Sequence, residues 1–163
     1  MSARFRLVPW IPVLCWMAVI FMASSDAFSA GHTSSIIEPL LLRLFPHLSA
    51  AAVDLIHFCI RKGAHLGEYG ILGILLWRAI PGHKAGPDAA DWWRAAVALL
   101  AATCYGATDE FHQSFVPSRG PSVRDVLFDA CGAAIALTII CLANWHRSGR
   151  GGSDVSSPAS PAS

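Results

Sequence analysis

Residues 61–80 read RKGAHLGEYGILGILLWRAI. The second half is an almost unbroken apolar run, whereas the first half carries Arg61, Lys62, His65 and Glu68. On a helix, offsets of three and four bring residues onto one face, so Arg61, His65, Glu68 and Tyr69 form a stripe with Lys62 at its edge. Placing His65 and Glu68 one to two turns inside an apolar span costs several kcal/mol unless they face a bundle interior and find partners there. The stretch therefore predicts a membrane helix that requires polar neighbours on other helices.

Composition supports that reading. The 163 residues are 54% hydrophobic and 14% charged, against about 25% charged in ordinary soluble domains. Leu7 to Ser24, Trp92 to Thr108 and Val126 to Ala143 join Gly63 to Ile80 as apolar runs near the ~20 residues that a bilayer core requires. They predict an all-α integral membrane four-helix bundle over residues 1–147, with interfacial helices between spans one and two. A net charge of +1 argues against a nucleic-acid or polyacidic partner. The first run also reads as a secretory signal, since Arg4 and Arg6 precede it and MASSDAFSA follows. Pro9, Trp10 and Pro12, together with the strength of the later spans, favour a retained anchor.

Between the first two spans lies SSDAFSAGHTSS, a small polar stretch, then IIEPLLLRLF, which ends at Pro46. SAAAVDLIHFCIRK follows, with Ser49 as a helix cap and Val53, Ile56 and Ile60 at helical spacing. Both pieces read as interfacial helices, the second running on into span two with Gly63 as a possible bend. The tail from Ser148 is rich in Gly, Ser, Pro and Ala and is expected to be disordered. Cys15, Cys104, Cys131 and Cys141 fall in the spans, Cys59 lies just before one, and no C-x-x-C pair occurs, so they read as small buried hydrophobes. Placing Arg4, Arg6, Arg78, Lys84, Arg94, Arg147 and Arg150 inside, against Arg43, Arg61, Lys62, Arg119 and Arg124 outside, gives seven basic residues to five. This puts both termini in the cytoplasm.

That topology brings three polar stripes to one outer boundary. Span three ends TCYGATDEFHQ, with Tyr105, Asp109 and His112 on one face; span four begins SVRDVLFDACGA, with Asp125 and Asp129 one turn apart and Ser122 as a cap. The joining loop SFVPSRGPS is short and stiffened by Pro117, Gly120 and Pro121, so it holds Arg119 above the bundle. The candidate site comprises Lys62, His65, Glu68, Tyr69, Asp109, Glu110, His112, Gln113, Arg119, Asp125 and Asp129, with Arg61 at its margin.

RKGAHLGEYGILG and YGATDEFHQSFVPSRGPSVRDVLFDACGA together resemble the VanZ-like membrane proteins. Their marks are an R-K-x-x-H-x-x-E-Y helix start and a D-E-x-H-Q-x-F-x-P-x-R segment leading into an acid-containing helix. The resemblance spans roughly residues 10 to 143. It implies a small multi-span protein in which Arg61, Lys62, His65, Glu68, Tyr69, Asp109, Glu110, His112, Gln113, Pro117, Arg119 and Asp125 are the marked positions. It also implies a link to low-level resistance to the glycopeptide teicoplanin, without a settled mechanism.

The leading expectation is recognition or modification of an amphipathic ligand: a membrane lipid, a lipid-linked wall precursor or a glycopeptide. Arg119 and Lys62 would hold a phosphate or carboxylate. The alternative is an enzyme that uses His65, Glu68, Asp109 and His112 for acid–base or metal-assisted chemistry on a lipid headgroup. A third reading is a structural zipper pairing Glu68 with Arg119 or Lys62, and Asp109 or Asp125 with Arg124 and His65. Neither a cofactor nor a resident metal is expected. Proton or solute transport is disfavoured because the charges crowd one boundary.

Overall fold

The computed structural model describes residues 7–24, 30–82, 87–115 and 122–151, except for the side chains of 30–36, 87–90 and 149–151. The expectations for Arg119, Pro117 and the tail beyond residue 151 lie outside these residues. Among the described residues all regular structure is helical: a 3-10 turn at Val8–Trp10, then α1 (Ile11–Ala23), α2 (Ala30–Leu44), α3 (Ala50–Ala79), α4 (Pro87–Gln113) and α5 (Val123–Gly151). Pro9 and Pro12 sit in the first turns of their helices, where a missing N–H costs nothing.

Ser49 starts α3. Its φ of −71° and ψ of 153° are extended, and its hydroxyl accepts from the Ala52 N–H. The helix then continues through Gly63 to Ala79, so the expected interfacial helix and span two are one element. Helix α2 begins at Ala30, within the small polar stretch, and carries Pro39 inside.

Helix α3 forms the axis of the bundle. Tyr69, Leu72, Leu76 and Ala79 of α3 bury against Ala95, Ala98 and Ala102 of α4 and Ala133, Leu137 and Cys141 of α5, and Val13 and Ile20 of α1 complete the core. Spacings of three and four place each set on one face. Small side chains let α3 and α5 approach closely, as in membrane helix pairs. A Cβ at Gly132 would lie 2.8 Å from Leu66 Cα, and one at Gly73 would lie 3.3 Å from the Ala133 Cβ. Gly63 and Gly67, which share the small-residue pattern, face open space.

By length and composition, α5 is the one described helix long and apolar enough to cross a membrane, over Val123–Ser148. Helix α1 is apolar but short, while α3 and α4 are long but interrupted by ionisable residues. The cysteine expectation is corrected: Cys141 is buried, but Cys15, Cys59, Cys104 and Cys131 are exposed on outward helix faces.

Candidate functional site

Four helices deliver polar side chains to one end of the bundle. From α3 come Lys62, His65 and Tyr69, all buried, with Glu68 half-buried. Arg61 is exposed, so the inward stripe runs through Lys62 rather than Arg61. His65 lies three residues after Lys62 and Tyr69 seven, on the same face, so one residue of phase decides which cation enters the bundle.

Lys62 forms an ion pair with Asp125 of α5, and its ammonium lies 5.6 Å from the Phe58 ring centroid and 5.1 Å from that of Phe128. One turn deeper, His65 Nδ1 lies 3.1 Å from Asp129 Oδ1. The Asp129 carboxylate has no solvent exposure. These pairs differ from the zipper read in the sequence, because Lys62 takes Asp125 and His65 takes Asp129.

The end of α4 divides between two neighbours. Tyr105, Asp109 and His112 meet α1: the Tyr105 hydroxyl donates to the Met17 carbonyl at 2.6 Å, and the His112 ring lies 4.2 Å from that of Phe21. The Ser24 hydroxyl donates to Asp109 Oδ2 at 2.6 Å, and the Gln113 amide donates to the same oxygen at 2.9 Å. On the adjoining face Glu110 Oε2 accepts from the Ser122 N–H at 2.8 Å. The Ser122 hydroxyl in turn accepts from the Arg124 N–H at 3.2 Å, which caps the start of α5. Burial pushes the Glu110 carboxyl above its ordinary range, with the charges of Asp125, Asp129 and Asp109 acting the same way.

Ser24 is the site residue that sequence reasoning missed. It is 3% exposed and bonded to Asp109. Its one signal is position, since it closes the first apolar run at the level where the three stripes meet. Trp16 strengthens the attachment of α1 by donating to the Glu68 carbonyl at 2.9 Å.

Many polar atoms of this cluster are nevertheless unsatisfied. Tyr69 Oη, Asp109 Oδ1, Glu110 Oε1, His112 Nδ1 and Asp129 Oδ2 are buried without a hydrogen-bond partner among the described residues. Among the same residues, no three His, Cys, Asp or Glu side chains are arranged to hold a metal ion.

The model of the VanZ/LLP1 family matches residues 9–144, which include every residue of this cluster. The chain belongs to the VanZ/LLP1 family. No curated protein and no solved structure matches it. Within this family member, the polar end formed by Lys62, His65, Asp109, Glu110, Asp125 and Asp129 is distinct from a second cluster at the opposite end. There the Arg94 guanidinium donates to the Trp77 carbonyl at 2.7 Å, and the Asn144 amide donates to Asp91 Oδ2 at 2.8 Å. The second cluster satisfies its donors; the first does not satisfy its acceptors.

Proposed function

We propose that this VanZ/LLP1 chain is a multi-pass protein of the cytoplasmic membrane, crossed by α1, α3, α4 and α5, with both termini cytoplasmic. Its polar cluster lies at the extracytoplasmic boundary and acts in the cell envelope. There it binds or modifies the headgroup of an amphipathic ligand: a membrane lipid, a lipid-linked wall precursor or a glycopeptide such as teicoplanin. The observation that carries this reading is the set of unsatisfied buried atoms on Tyr69, Asp109, Glu110 and Asp129. An interhelical zipper is stable only when its buried polar groups are paired. Atoms left without partners suit a ligand that supplies the missing bonds.

Catalysis on the headgroup is the second reading, favoured by the His65–Asp129 pair. A carboxylate at Nδ1 fixes the imidazole's orientation and leaves Nε2 as the acid–base nitrogen. Profiling membrane lipids and wall precursors with and without the gene, alongside teicoplanin susceptibility, tests both readings. An altered species restored by the wild-type gene but not by Asp129→Asn is expected for catalysis. A susceptibility change without an altered species is expected for binding. No change in either measurement would overturn the proposal.

A further inference from the structure

The unsatisfied atoms have a chemical sense. Asp109 Oδ1, Glu110 Oε1 and Asp129 Oδ2 are carboxylate oxygens, and Asp109, Glu110 and Asp129 are 3%, 6% and 0% exposed. The remaining oxygen of each residue is already engaged, by Ser24 and Gln113, by the Ser122 N–H, and by His65 respectively. Each carboxylate is therefore pinned on one side and open on the other. Tyr69 is fully buried with its hydroxyl unbonded, and its ring and Asp129 Oδ2 both border Gly106. A Cβ at Gly106 of α4 would come within 3.3 Å of Asp129 Oδ2 and 3.4 Å of the Tyr69 ring. Gly106 thus packs closely against Asp129 and Tyr69, and any side chain there would crowd the carboxylate.

Among the described lysines and arginines at this end, the cation count runs the other way. Lys62 is occupied by Asp125 between two aromatic rings, and Arg61 and Arg124 are exposed. A phosphate brought against Asp109, Glu110 and Asp129 would meet like charge in a low-dielectric setting. An alkylammonium group carries three N–H donors and no acceptor, the complement of three open carboxylate oxygens. A quaternary ammonium has no N–H to give. Crowding of Asp109, Asp125 and Asp129 around Glu110 is the kind of strain that such a cation relieves.

Resting on the headgroup-binding reading above, we infer that the open oxygens of Asp109, Glu110 and Asp129, with the Tyr69 hydroxyl, receive a primary ammonium group on the head of an amphiphile. The same chemistry occurs on an ethanolamine phospholipid and on an amino sugar joined to an alkyl chain.

The test is native mass spectrometry of the full chain in mild detergent. Phosphatidylethanolamine is compared with phosphatidylcholine and phosphatidylglycerol of identical acyl chains, and dodecyl glucosaminide with dodecyl glucoside. Charge-assisted hydrogen bonds predict about tenfold or greater preference for at least one amine-bearing head over its matched partners. The pair that shows the preference identifies the source of the amine. Asp109→Asn and Asp129→Asn should remove the preference, as should Gly106→Ala, which crowds Asp129 without changing any charge. Asp91→Asn, at the opposite end, should retain it. Equal retention of all heads overturns the inference whether or not any variant folds. Preference for phosphatidylglycerol that depends on Asp129 overturns the ammonium assignment but leaves the headgroup site standing. Binding of every head independent of Asp109 and Asp129 overturns both.

Discussion

Lys62 and Asp125 form a buried pair whose side chains are 8% and 14% exposed. Removing one partner leaves the other charge desolvated and alone, a loss of about 3–5 kcal/mol for such pairs. Lys62→Met and Asp125→Leu should each lower stability by that order in denaturant unfolding of the detergent-solubilised protein. The double variant should lose less than either, because no orphan charge remains. Glu110 behaves differently. Its carboxyl is raised above its ordinary value by burial, so the folded state holds the proton more tightly than the unfolded state. That contribution is fully present below the ordinary glutamate value and is lost as pH rises through the raised one. Glu110→Gln abolishes this dependence, so its thermal midpoint relative to wild type should climb as pH increases across that window. A constant offset would contradict this. At this scale the residue types of the cluster were legible, because His65, Asp109 and Asp129 are costly inside apolar runs. The pairing was not, because choosing Lys62 over Arg61 depends on helix phase. Ser24 was illegible for a simpler reason: a serine at the end of an apolar run is also what a signal cleavage region looks like.

At the scale of elements, the contact between α3 and α5 rests on a few positions without side chains. A Cβ at Gly132 would meet Leu66 backbone atoms, which cannot move aside as a flexible side chain can. Gly132→Ala should cost about 2 kcal/mol or more by forcing the helices apart. Gly63→Ala and Gly67→Ala point into open space and should fall between neutral and about 1 kcal/mol stabilising, since alanine is the better helix former. Thermal midpoints of the three variants check this, and an equal loss at all of them would contradict the packing described. The spacings of Gly63, Gly67, Gly70 and Gly73 along α3 are compatible with one surface of the helix. Only the rotational setting of α3 against α5 separates Gly70 and Gly73, which touch the partner, from Gly63 and Gly67, which do not. Cap chemistry was more local and therefore readable: Ser49 and Ser122 each accept a backbone N–H at the start of the helix they precede.

For the whole molecule, the two polar clusters set a scale. Lys62 and Trp77 are 15 positions apart on α3, about 22 Å along a helix rising 1.5 Å per residue. That separation fits within a hydrocarbon core about 30 Å thick. Between the two ends the outward surface is apolar, with Ile71, Leu100, Ile135 and Ile139 all exposed, a pattern suited to lipid rather than water. Helix α3 has 30 residues, about 45 Å, so under the proposed crossing its first turns would project beyond the core on the side of Lys62, together with α2. The all-helical class was legible from apolar runs alone, because every run became a helix. The span lengths were less so: prolines near the start of α1 and charges within α3 and α4 blur where hydrocarbon ends. If α1, α3, α4 and α5 all cross, the ends of α4 and α5 lie on opposite faces of the membrane. In a variant with all five cysteines replaced, an impermeant maleimide added to intact cells should label Phe115→Cys. It should reach His146→Cys only after permeabilisation. Reversal of the two would invert the proposed orientation while retaining the crossing. Labelling of both positions from the same side would show that α5 does not cross, and the clusters would then lie at one face together.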